Sequence, residues 1–242
     1  QKGDALLVLD QMKARKAAHY DLDLVWKVED RGQERLPHSG AFLVERSAAG
    51  QTLQPNPPAC PDPMPAANAV TRFWIKWPDS VQVTLTQSSP KGIVVPVRKL
   101  YQRTSGPRQA GEVTEVANLL YVDDSTHSAD WSLARLGQGA ICLRGKENAL
   151  CAVRGAKLPG LEFDADMLYV SPSRIAWAHG RWLVWQQSSL AGDEPSNLEM
   201  DLATSRVVAK TPDGRPVQVR SNGFSPDRIE TLLRSLQAAR PG

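Results

Sequence analysis

A period of two constrains this chain more than any other feature. Leu22, Leu24, Trp26 and Val28 recur at every second position, and so do Val81, Val83 and Leu85. Successive side chains of an extended strand point to opposite faces, so such runs bury one face and solvate the other. Further short apolar runs read as strands at Ala41–Val44, Val70–Trp77, Leu119–Val122, Met167–Val170, Arg174–Ala178, Trp182–Trp185, Arg206–Lys210 and Pro216–Val219. Ile93–Val97 contains Pro96, which cannot donate to a ladder, so it is predicted as an edge or bulged strand. Turn chemistry predicts three tight reversals: Pro78-Asp79-Ser80, His179-Gly180-Arg181 and Pro212-Asp213-Gly214. The first should join Val70–Trp77 and Val81–Thr86 into a hairpin. The segment from Arg174 to Val219 reads as two meander units, without a fixed repeat period that would make a propeller.

The fold class that follows is mainly β (α+β): antiparallel hairpin and meander sheets with an N-terminal and a C-terminal helix. The N-terminal helix is predicted from Asp4 to Tyr20, where Leu6, Leu7, Leu9, Met12 and Ala17 approximate one apolar face. The C-terminal helix is predicted over 226–239. Ser225 supplies the N-cap, Pro226 the first helical position and Asp227 an early acid, while Ile229, Leu232, Leu233 and Leu236 form a stripe that packs on a sheet. Between Gln54 and Pro65 six prolines make a rigid extended loop. A composition break between Gln102 and Glu115 divides the chain into a β-rich lobe over 1–105 and a β lobe over 106–242.

Cys142 and Cys151 lie on the two arms of a predicted hairpin, AICLRGKENALCAVRG. Facing cysteines with close Cα atoms can form a disulfide. The expectation is a Cys142–Cys151 bond and therefore an oxidising compartment, the bacterial periplasm. Cys60, among prolines, is the odd thiol. The chain opens Gln1-Lys2-Gly3 without Met, as a trimmed chain or a mature form would; a leader or a lipid-anchored cysteine on a removed segment is compatible with that start and is not shown by it. No run reaches the ~18 apolar residues of a membrane-spanning helix.

Bulk chemistry argues against some partners. With 29 basic and 26 acidic residues the net charge is +3, and no basic stripe marks a nucleic-acid surface. The hydrophobic fraction of 41% supports a packed core. The motifs HExxH, GxSxG, GxGxxG and the P-loop are missing, and His19, His38, His127 and His179 are scattered. No catalytic residue, cofactor or metal site is expected.

Two acidic segments remain. Asp123, Asp124 and Asp130 surround His127 in a segment whose spacing matches no ligand loop. Glu162, Asp164 and Asp166 alternate with apolar residues, so an extended backbone would place them on one ridge. Trp182 is one of five tryptophans gathered on two predicted hairpins, and it is the candidate for a surface anchor. Together Asp123, Asp124, Asp130, Glu162, Asp164, Asp166 and Trp182 are the expected partner-binding residues. The functional expectation is a non-catalytic periplasmic protein-binding inhibitor of the immunity type. Such a protein neutralises a secreted effector, a lipase or cell-wall hydrolase, by covering its active site. The alternatives are a metal-dependent hydrolase using Asp123–Asp130 and a structural envelope lipoprotein.

Overall fold

The structure is a computed structural model that describes residues 5–29, 33–35, 41–47, 70–78, 81–88, 97–124 and 131–239. The chain divides into two compact units, 1–129 and 130–242. Their boundary falls later than the composition break between Gln102 and Glu115. The Pro-rich loop, Cys60 and Ile93–Pro96 lie outside the described residues.

The first unit contains β1 (Ala5–Lys13), β2 (Ala18–Glu29), β3 (Gln33–Arg35), β4 (Ala41–Ser47), β5 (Val70–Lys76), β6 (Gln82–Ser88), β7 (Val97–Arg108) and β8 (Val113–Asp124). They form a five-stranded sheet, β1-β8-β5-β4-β3, and a three-stranded sheet, β2-β7-β6. The two sheets share one ribbon. Lys13 lies opposite Val113 in the first and Ala18 opposite Arg108 in the second, so the register is unbroken across the gap. Within that gap Ala14 donates to the Glu112 carbonyl at 2.9 Å and accepts from Gly111 at 2.8 Å. Gly111 has φ +86, a conformation glycine adopts without Cβ strain. Gly106 and Pro107, in the stretch that resembles a lobe boundary, lie inside β7, and only residues 109–112 form the interruption between β7 and β8.

Two expectations fail in this unit. Ala5–Lys13 is a strand, not a helix. Leu6, Leu7 and Leu9 satisfy either period over so short a run, and nine antiparallel partners on β8 decide for extension. Nor do β5 and β6 pair as a hairpin: β5 lies between β4 and β8, while β6 pairs with β7. Phe42, Val44 and Ile75 from one sheet and Leu100 from the other meet in a shared core, flanked by Trp26, Leu85 and Leu120. A polar chain is buried in the same unit. Trp26 Nε1 donates to Gln102 Oε1 at 3.2 Å, and Gln102 Nε2 donates to Asn118 Oδ1 at 2.8 Å. It links β7 to β8 on either side of their interruption.

The second unit contains β9 (Ser132–Gly137), β10 (Ala140–Arg144), β11 (Ala149–Val153), β12 (Leu161–Asp164), β13 (Met167–Val170), β14 (Arg174–Trp185), β15 (Ser188–Asp201), β16 (Arg206–Lys210), β17 (Val219–Asn222) and α1 (Pro226–Ala238). All nine strands join one antiparallel sheet, with β12 on β14 and β17 on β15 beside the main order. Ser225 caps α1 by accepting from the Arg228 amide, and Ile229, Leu232, Leu233 and Leu236 are buried, as the sequence predicts. They enter a core with Leu150, Leu168, Ile175, Trp177, Leu183, Leu190 and Leu198. One helix stripe thereby covers one sheet face.

The expected turn at His179-Gly180-Arg181 is not a reversal, because β14 runs straight through it. Asp164 lies opposite Trp182 and Met167 opposite Ala178. Between those pairs β14 carries one residue more than the facing chain, which is a β-bulge. The turn at Pro212-Asp213-Gly214 is present, with Gly214 donating to the Thr211 carbonyl at 2.9 Å. A lone bridge between Lys210 and Pro216 closes it, and β17 then pairs with β15 instead of β16.

The cysteine hairpin exists, but its register rules out the expected bond. Cys142 faces Leu150 and Ile141 faces Cys151, so the two thiols project from opposite faces of the sheet. Both cysteines are free. Cys142 is buried on the helix side, where Gln237 Nε2 donates to its Sγ at 2.9 Å. Burial pushes the Cys151 thiol up to about 12, and the neighbouring Cys142 adds to the shift. The inference of an oxidising compartment loses its disulfide.

Candidate functional site

The bulge in β14 organises the strongest cluster of surface groups in the second unit. His179 has φ 47, which is unusual for a residue with a Cβ. Gly180 beside it is tightly enclosed: a Cβ there would lie 2.7 Å from the Ala165 Cβ and 2.8 Å from the Asp164 carbonyl oxygen. The bulge therefore lets the bend between β12 and β13 close onto β14, and it turns His179 toward that bend. The His179 amide donates to Asn197 Oδ1 at 3.0 Å, and its Nδ1 lies 3.1 Å from Asp166 Oδ2.

Arg154, just beyond β11, completes the arrangement. Its Nη1 donates to Asp164 Oδ1 at 2.6 Å, its Nε to Asp166 Oδ1 at 2.9 Å and its Nη2 to the His179 carbonyl at 3.4 Å. Hydrogen bonds from Arg154 and then from His179 hold the Asp166 carboxyl below the usual carboxylate range. The same bonds, to Asp166 first and Asp164 second, raise the Arg154 guanidinium.

Glu162 and Asp164 share one face of β12, opposite Val184 and Trp182, and Arg154 joins Asp164 to Asp166, so these carboxylates do not form a bare acidic ridge. The chain bends at Ala165, and Arg154 draws two of the three carboxylates together. Sequence spacing gives no sign of Arg154, because it reaches the site from another strand pair.

Apolar side chains surround the charges. Trp182 lies directly opposite Asp164, and Val184 opposite Glu162, on the sheet face away from α1. Trp182 is 36% exposed, Val184 37% and Met167 58%. Phe163 and Leu183, at the alternate positions, pack into the core. The expectation of an outward Trp182 holds, whereas Trp177 and Trp185 are core residues.

The Asp123 segment behaves differently. Asp123 is buried, accepts from Trp74 Nε1 at 3.1 Å and lies 3.7 Å from an Arg72 nitrogen. It is a structural acceptor in the first unit, not an exposed partner contact. Asp124 ends β8, and Asp130 and His127 lie outside the described residues. Among the described residues no group of three or more His, Cys, Asp or Glu is placed to hold a metal ion.

Sequence reasoning missed a second polar cluster, on the three-stranded sheet. Arg103 grips Asp23 through two 2.7 Å bonds, and Ser105 Oγ donates to Asp21 Oδ1 at 2.5 Å. His19 Nε2 lies 3.0 Å from the same Ser105 Oγ and 3.6 Å from Asp21 Oδ1. These three residue types are those of a hydrolytic triad, but the geometry is not. In a triad the acid holds the imidazole nitrogen remote from the serine, whereas here serine and aspartate share one nitrogen. The alternation that predicts β2 carries Asp21 and Asp23, and only the β2–β7 register reveals their partners.

No family model matches this chain, and no curated protein or solved structure matches it.

Proposed function

We propose that this protein is a non-catalytic protein-binding inhibitor of the immunity type, whose second unit covers the working surface of a partner enzyme. The observation that carries this reading is the exposed Trp182, Val184 and Met167 grouped around Arg154, Asp164, Asp166 and His179. A tryptophan that is 36% exposed, beside charges already fixed to one another, suits a binding hot spot with a polar rim. The prior pairing lowers the ordering cost of association, because Arg154 is held before the partner arrives. The partner in this proposal is a secreted lipase or cell-wall hydrolase, and the compartment is the bacterial envelope. That compartment draws no support from the cysteines.

Comparison of wild-type protein with Trp182→Asp as bait in an envelope extract tests the reading. The expected result is one stoichiometric hydrolase captured by the wild type and lost by the variant. Wild-type protein should then suppress the purified hydrolase's activity. Equal capture by both baits, or a captured hydrolase that works unimpeded, would overturn it.

A further inference from the structure

In the three-stranded sheet of the first unit, β6 pairs with β7 on one side, and no described strand pairs with its other side. Its sequence, Gln82-Val83-Thr84-Leu85-Thr86-Gln87-Ser88, holds no charge, no proline and no glycine. A free edge presents a row of backbone donors and acceptors to any passing strand, and charged side chains or proline normally discourage that pairing. The other described edge strands carry such charges. Examples are Asp10 on β1, Lys27 on β2, Glu34 on β3, Arg135 on β9 and Lys210 on β16. Among the described edge strands, β6 alone has none.

Alternation gives β6 two faces that suit a copy of itself. Val83 and Leu85 lie on the core side, where Leu85 packs beside Leu100, yet Val83 is 39% exposed. Gln82, Thr84 and Thr86 lie on the opposite face, and all three are exposed. Thr84 stands opposite Tyr101 of β7. An antiparallel pairing of two β6 strands centred on Thr84 sets Thr84 beside Thr84 of the second copy. It also sets Gln82 beside Thr86 and Val83 beside Leu85 of that copy. The hydroxyl and amide groups can then hydrogen-bond across the strands, and the exposed valine leaves water. A two-fold axis sets the central residue against its own kind, so a charge there would repel itself. The cations of β7 do not oppose the pairing. Lys99 lies beside Thr86 and Arg103 beside Gln82. In this register Arg103 of one copy and Lys99 of the other are three strand spacings apart, about 14 Å, beyond a Debye length of about 8 Å. Arg103 is moreover already held by Asp23.

We propose that β6 pairs antiparallel with β6 of a second copy of this chain, closing a two-fold dimer through one six-stranded sheet, β2-β7-β6-β6-β7-β2. Each β6 has a single free edge, and the outer β2 strands carry Asp23 and Lys27, so the assembly stops at two. A strand this short buries little area, so the dimer exchanges rapidly, with a dissociation constant on the order of 10–100 µM.

Sedimentation velocity of the full chain between about 5 and about 500 µM tests the proposal. The expected result is a monomer–dimer equilibrium without larger species. Thr84→Lys and Thr84→Glu each put like charges at the two-fold axis, and each should weaken the dimer about fivefold or more. An equimolar mixture of the two variants should regain the dimer, which neither could do if it were misfolded. Circular dichroism confirms that each is folded. Trp182→Asp, in the other unit, should leave the equilibrium unchanged. A wild type that stays monomeric at about 500 µM, a dimer that Thr84→Lys leaves intact, or a mixture that stays monomeric would overturn the proposal. So would growth into longer polymers, because it would show that the pairing does not close.

Discussion

Gly180 is the residue on which the candidate site depends most directly. Any side chain there meets the Asp164 carbonyl and Ala165, which belong to the bend that Arg154 secures. Gly180→Ala should lower stability by about 1–3 kcal/mol, read as a shifted urea midpoint, because backbone cannot yield as a flexible side-chain tip can. The pairing itself is accessible to NMR. Arg154→Met should raise the Asp166 carboxyl toward its ordinary 3.8. The sign follows from linkage: a lowered native pKa stabilises the fold above the unfolded value, and that contribution disappears as pH falls through the native value. Cys151 gives the opposite sign. Cys151 keeps its proton to about 12, whereas an ordinary thiol releases it near 9.0. Its contribution is therefore complete below 9.0 and declines as pH rises from there toward 12. Urea midpoints at about pH 8 and about pH 10 should fall less in Cys151→Ala than in wild type. Reductant should leave the wild-type melting temperature unchanged, since Cys142 and Cys151 project from opposite faces.

At the scale of the element, α1 was the most legible feature, and its prediction follows from the same residues. Ser225, Pro226 and the stripe from Ile229 to Leu236 encode start, direction and buried face locally. Leu232→Ala should cost about 2–5 kcal/mol by leaving a cavity under the helix. Ser225→Ala should cost about 1 kcal/mol by releasing the Arg228 amide. Chemical denaturation measures both. Most strands were legible for the same local reason, since Leu22 to Val28 and Met167 to Val170 show their faces without reference to a partner. Pairing was not legible. The β1–β8 and β2–β7 ladders join residues about a hundred positions apart, and nothing near Lys13 points to Val113. The Ala5–Lys13 error has the same origin, because β8 settles a choice that the local apolar pattern leaves balanced. At His179-Gly180-Arg181 the local pattern leaves bulge and reversal equally open, because glycine marks either. Of the candidate site, Asp164, Asp166 and Trp182 were visible from spacing and residue type. Arg154 and His179 were not, since a bulge and a bend bring them there.

At the scale of the molecule, each unit has its own core, one between the two sheets of the first unit and one beneath α1 in the second. Each also presents a distinct surface chemistry: polar, acidic and basic side chains around Tyr101, and apolar and charged ones around Trp182. The central functional claim concerns the second of these. The measurement that tests it most directly is the affinity of the purified partner hydrolase for wild type and for Trp182→Ala, by calorimetry. Trp182 is 36% exposed, so Trp182→Ala also loses some packing within the unit, and circular dichroism confirms that the variant is folded before its affinity is read. The variant should bind at least about 30-fold more weakly, the loss expected of a hot-spot residue. Unchanged affinity in a folded Trp182→Ala would contradict the account and remove this face from the interface.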